Sequence, residues 1–222
     1  MSPQRVMEAS VSDDLLQTLS LPQRLALSYA PARARPATLA LLALENRLSA
    51  ILRQRGETLI AQMKLAWWRD RFAQNPEEWP EGEPLLALLK QWPADYSTLG
   101  NLVDGWEILL GETLDESAIV TFADKRGAAW AALGQTDDQA LVAGRRYALA
   151  DLALHLDQGN EREAVLANLK DMDARRAPLP RSHRALAVLR ALALRAVKRG
   201  SSDMLDGPGA MALAMRVGIT GR

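Results

Sequence analysis

Apolar positions along this chain recur at helical intervals, and the clearest run falls in residues 57–74. Ala61, Leu65, Trp68 and Phe72 are spaced by four, three and four, so they share one stripe of an α-helix while Lys64 and Arg71 point elsewhere. Trp68 therefore faces a core. Trp67 lies about 100° further round the helix, so two indoles cover adjoining faces and a second neighbouring helix is expected there. Arg69 and Asp70 are sequence neighbours and cannot face each other, so their ion pairs must reach other helices or residues three or four away.

The same reading runs along the whole chain. Prolines at 22, 31, 36, 76, 80, 84, 93, 178, 180 and 208 separate Ala/Leu-rich text with few β-branched runs, which is an all-α layout. Helices are predicted over 12–20, 22–29, 36 to the stop at Gly56, 57–74, 85–92, 95–110, 115–133, 137–157, 160–172 and 182–199, with a tail helix ending near 217. Thr136 to Gln139 has the spacing of a capping box. Residues 75–84 hold too many breakers for a helix and read as a lid or a solvated connector. Gly100, Gly105, Gly127 and Gly144 fall inside predicted helices, where each costs about 1 kcal/mol relative to Ala. They imply close helix contact or room for a ligand. No repeat or low-complexity block interrupts the pattern, so the expectation is one helical bundle over 21–200, preceded by an extension with a short helix (1–20) and followed by a tail helix (201–222).

Composition narrows the chemistry. Lys+Arg and Asp+Glu balance at 27 each, so no global field attracts nucleic acid. With no cysteine, thiolate zinc sites, disulfides and Cys nucleophiles are excluded, and two histidines make a multi-His metal site improbable. His155 reads as a partly buried helix residue and His183 as a surface residue near a helix start. There is no G-x-G-x-x-G, Walker-type loop, G-x-S-x-G elbow or H-E-x-x-H. The first ten residues show no leader pattern, and no window approaches the ~18 apolar residues of a membrane span, so the expected setting is cytoplasmic, at most peripheral to the inner face of a membrane.

Charge is locally uneven. Residues 174–200 carry eight Lys/Arg and no acid. On the helix predicted there, Arg184, Arg195, Lys198 and Arg199 fall on one side and Leu186, Leu189, Ala193 and Val197 on the other. Either this is a solvated face or it docks on an anionic membrane surface.

Three stretches, taken in order, carry a resemblance. Tyr29-Ala-Pro-Ala-Arg-Ala-Arg35 runs into Ala40-Leu-Leu-Ala-Leu44; the Trp67-Trp68 helix follows; then come Leu102-Val-Asp-Gly-Trp-Glu107, Phe122-Ala-Asp-Lys-Arg-Gly-Ala128 and Gly144-Arg-Arg-Tyr-Ala148. Together they resemble the squalene/phytoene synthase family, the head-to-head isoprenoid synthases, over roughly residues 20–200. The resemblance implies an all-α bundle of the isoprenoid synthase type. It also implies, for active members, a prenyl diphosphate bound through Mg²⁺ ions held by Asp-rich motifs. Where the first such motif would lie, this chain has Ser49-Ala50-Ile51-Leu52-Arg53; near the second it keeps Asp151 and Asp157. Asp104 and Glu107, at i and i+3, are the other acidic pair able to face inward.

Tyr29, Arg33, Arg35, Arg53, Asp104, Glu107 and Asp151 are thus the candidate cavity or diphosphate-facing residues, with no residue assigned as catalytic or as a metal ligand. The family also contains non-catalytic relatives, including a factor that assists assembly of respiratory complex I. The leading reading is a degenerate member acting as a prenyl-binding, lipid-binding or assembly scaffold with a protein partner. The alternative is an active prenyl transferase, with Mg²⁺ or with Arg33, Arg35 and Arg53 binding diphosphate directly. A helical interaction protein without a cavity is the third.

Overall fold

The computed structural model describes residues 12–54, 57–134, 138–172 and 178–221. Within them the chain is an all-α bundle with no strand. The helices are α1 (12–17), α2 (Leu21–Ser28), α3 (Arg35–Arg53), α4 (Thr58–Ala73), α5 (Pro84–Leu89), α6 (Ser97–Ile108), α7 (Glu116–Ala131), α8 (Asp138–His155), α9 (Asn160–Asp171), α10 (Arg184–Arg199) and α11 (Pro208–Thr220). Short 3₁₀ turns occupy Pro76–Glu78 and Arg181–His183. Every predicted helix is present with ends shifted by a few residues, mostly because the last turn tightens or a proline starts the helix earlier. The Gly56 stop and the Thr136 cap lie outside the described residues.

Local chemistry sets the ends. Ser20 N–H donates to Gln23 Oε1 at 2.9 Å at the start of α2, and Asp115 Oδ1 accepts from Ala118 N at 2.8 Å at the start of α7. α10 stops at Gly200, whose φ of +67° is strained for any residue with a Cβ.

Two helices form the centre. α3 is buried continuously from Ala37 to Glu45, and α10 buries Ala185 to Leu189, Leu192, Ala193 and Ala196 between α8, α2 and α11. α7 packs between α6 and α8. The interior glycines there permit close approach: a Cβ on Gly144 would lie 2.8 Å from Gly127 Cα, and one on Gly105 would lie 3.1 Å from Lys125 Cβ.

α4, the helix with the clearest sequence pattern, is one-sided. Leu65, Trp68 and Phe72 are buried, but Trp67 is 38% exposed. Its indole stands edge-on to Trp68 at 5.0 Å and lies under the Arg71 guanidinium. The connector after α4 is pinned: Trp79 is buried, packs on Phe72 and Tyr96, and donates through Nε1 to Arg71 O at 2.6 Å.

Candidate functional site

Three helices each direct an i, i+4, i+8 stripe at the same point, which is the spacing that stacks side chains on one helix face. α3 supplies Glu45, Ser49 and Arg53; α7 supplies Phe122, Arg126 and Trp130; α8 supplies Tyr147, Asp151 and His155. Arg126 sits at the meeting place, 3% exposed, beside Glu45 at 2%. Its Nε and Nη2 donate to the two carboxylate oxygens of Glu45 at 2.6 and 3.2 Å, and its Nη1 donates to Asp151 Oδ2 at 2.7 Å. Trp130 Nε1 adds a donor to Glu45 Oε1 at 3.2 Å. The rings of Tyr147, Trp106 and Phe122 surround the guanidinium at 4.7, 5.4 and 5.8 Å. A planar, delocalised cation suits that cage.

The electrostatics follow from burial and pairing. Burial pushes the Glu45 carboxyl above its ordinary range, while Arg126 pulls it back. Burial opposes the Arg126 cation, but Glu45 and Asp151 outweigh it and hold the guanidinium well above its ordinary value. Tyr147 is held well above the ordinary phenol range by burial and then by Asp151. The surroundings thus favour the charged guanidinium of Arg126 and the protonated phenol of Tyr147.

Two cavities adjoin this cluster, of about 660 Å³ and about 500 Å³. Both are lined by Ser49, Arg53, Trp106, Arg126, Asp151 and His155. The larger extends between α1, α2 and α3 and carries polar groups such as Thr18, Gln23 and Asn46. The smaller runs toward Leu52, Leu109, Leu114, Phe122, Leu152 and Leu156, with Glu112, Thr113 and Glu161 also in its lining. Arg53 makes no ion pair among the described residues and is the exposed cation on their shared rim. His155 is exposed there too, its Nδ1 2.8 Å from Asp151 O.

Of the candidates read from sequence, the structure brings Arg53 and Asp151 together, along with Ser49 and Ala50. The others lie elsewhere. Asp104 and Glu107 are held by Arg69, Nε to Asp104 Oδ1 at 2.6 Å and Nη2 to Glu107 Oε2, with Lys125 also on Asp104 at 3.2 Å. Arg35 donates to Ser28 O and Ala30 O and so closes the end of α2, Arg33 is exposed, and the Tyr29 ring packs on Gly218 of α11. None of these five lines either cavity. The histidines exchange their expected settings: His183 is buried, with Nε2 3.1 Å from Ala131 O. The basic side of α10 is partly tied down, since Arg195 donates to Asp206 O at 2.7 Å, Arg199 Nε lies 3.4 Å from Asp206 Oδ2, and Arg184 donates to Leu179 O.

Glu45, Arg126 and Tyr147 were not singled out from the sequence. Glu45 ends an unbroken apolar run, Leu39 to Leu44, and Arg126 stands between Phe122 and Trp130 on one stripe. A charge inside an apolar stripe is the signal that would have found them.

Mg²⁺ does not fit this donor set. It demands several oxygen ligands in near-octahedral array, yet both Glu45 oxygens and Asp151 Oδ2 already accept from Arg126. Among the described residues no group of three or more His, Asp or Glu side chains is arranged for a metal. No family model matches this chain, and no curated protein and no solved structure matches it either.

Proposed function

We propose that this protein is a non-catalytic, squalene/phytoene synthase-like scaffold that binds an amphipathic lipid, a prenyl lipid being the kind the sequence resemblance suggests. The observation that carries this reading is Arg126: a guanidinium fills the space between the interior carboxylates, Glu45 and Asp151, and satisfies them. Ionising an allylic diphosphate requires the leaving charge to be neutralised as it develops, and the loss of one such contact in a preorganised site costs on the order of 10²–10³ in rate. The smaller cavity supports an apolar chain. Ser49, Arg53 and His155 on its rim support a polar or singly anionic head. A role with a protein partner in assembly belongs to the same reading.

Mass spectrometry of an organic extract from gently purified protein tests it, with a co-purifying amphipathic lipid as the expected result. An empty extract together with failure to bind added lipid would overturn it. The rival reading has one observation in its favour, the exposed Arg53, which makes no ion pair among the described residues. It requires a head-to-head hydrocarbon from labelled farnesyl or geranylgeranyl diphosphate with Mg²⁺ and NADPH, lost in Arg53→Ala.

A further inference from the structure

We propose that the outward face of α11, with the arginine groove beside it, docks on an anionic lipid bilayer. Met211, Met215 and Ile219 are spaced i, i+4, i+8 and all three are exposed, Ile219 at 69%. Ala212 is exposed on the same side, while Ala210, Ala214, Val217 and Gly218 face the bundle. The helix carries no acid. Its one charge, Arg216, lies about 60° from Ile219 around the axis, on the edge of the apolar stripe.

That edge opens into a surface groove whose charged lining residues are Arg181, Arg184 and Arg216, with Pro178, Leu179 and Pro180 as its floor and wall. No carboxylate lines it, and none of the three arginines pairs with one among the described residues. Burial and the neighbouring Arg181 both disfavour the charge on Arg184, so like charges are held together with no carboxylate partner among the described residues. An apolar stripe bordered by arginines is the arrangement that inserts at the acyl boundary while guanidinia meet lipid phosphates. A free phosphate would engage only the arginines and leave Met211, Met215 and Ile219 in water. An anionic bilayer covers both.

The surface shares Arg184 with the basic side of α10 suggested by sequence but leaves out Arg195 and Arg199, which are engaged with Asp206. Lys198 thus serves as the control.

The test is flotation of the full chain with vesicles of phosphatidylcholine alone and of phosphatidylcholine mixed equally with phosphatidylglycerol. Binding is expected only to the mixed vesicles, falling as salt rises. Arg181→Glu and Arg216→Glu should each weaken it at least about fivefold. Ile219→Ser, which alters no charge, should weaken it as well, and Lys198→Glu should leave it within about twofold. Because all four side chains are exposed, unchanged far-UV circular dichroism is expected and separates lost docking from lost fold. No binding to the mixed vesicles, equal binding to neutral ones, indifference to Ile219→Ser, or full competition by inorganic phosphate at constant ionic strength would each overturn the proposal. The cavity reading stands or falls separately, on the lipid extract.

Discussion

Arg126 and Glu45 form a two-pronged ion pair in which both partners are buried, 81 residues apart in sequence. Removing one member of such a pair leaves an uncompensated charge in a low-dielectric interior, a loss of about 3–5 kcal/mol. Arg126→Met strands two carboxylates, whereas Glu45→Gln leaves Arg126 with Asp151. Urea unfolding should therefore show Arg126→Met as the worse of the two. The double variant should lose less than the sum of the singles; additive losses would show that the pair is not a unit.

The same carboxyl predicts a pH dependence. Burial raises the folded-state pKa of Glu45 above its ordinary 4.5, so between 4.5 and that raised value the folded chain holds a proton the unfolded chain has released. Stability contributed by this group is then fully present below 4.5 and declines as pH climbs through the folded value. Urea midpoints should fall over that interval in the native protein relative to Glu45→Gln, which lacks the titrating group. Parallel profiles would refute the assignment.

Trp68 and Trp67 are neighbours with opposite surroundings. Trp68 is 4% exposed and stacks on Phe72 at 5.9 Å, so Trp68→Ala should cost ~3–5 kcal/mol. Trp67, 38% exposed, keeps an edge on Trp68 and a face under Arg71, so its truncation should cost less, about 1–2 kcal/mol. Equal losses at both positions would contradict the one-sided packing of α4.

The glycines separate in the same way. A Cβ at Gly144 meets Gly127 backbone at 2.8 Å, and backbone cannot step aside as a flexible side chain can. Gly144→Ala should destabilise by about 1–3 kcal/mol. Gly100 in α6 has only Phe72 Cβ at 3.9 Å, so Gly100→Ala should stabilise by roughly 0.5–1 kcal/mol. Thermal melts of the two variants should move in opposite directions.

The helices were legible because the signal that makes them is local: periodic apolar residues between prolines and glycines. Which helix is central was not legible. Trp67 and Trp68 mark α4 most loudly, but the plainer Ala/Leu text of α3 and α10 forms the centre, because small and medium apolar side chains let helices approach closely without any single residue standing out in the sequence. At the site, Arg53 and Asp151 could be named from sequence because a resemblance pointed to them. Asp104 and Glu107 were named on spacing alone, and spacing does not reveal that Arg69, 35 residues before Asp104, would reach them first. Glu45 and Arg126 were missed because Arg126 stands in the charged run Asp124-Lys125-Arg126, which reads as a solvated face, and a pairing across 81 residues leaves no local trace.

That separation also bears on the order in which the molecule assembles. Arg126 and Asp151 are only 25 residues apart and lie on helices that meet glycine to glycine, so α7 and α8 can close as a hairpin while their ion pair is still hydrated. Closing the 81-residue loop to Glu45 costs roughly 1 kcal/mol more in chain entropy than the 25-residue one. Docking of α3 is then the late event that withdraws the guanidinium from water. Contacts made after the transition state act on escape from the native state rather than on approach to it. Glu45→Gln should consequently accelerate unfolding in a chevron experiment while leaving the refolding limb nearly unmoved, which makes one buried carboxylate the latch that sets how long the folded protein lasts.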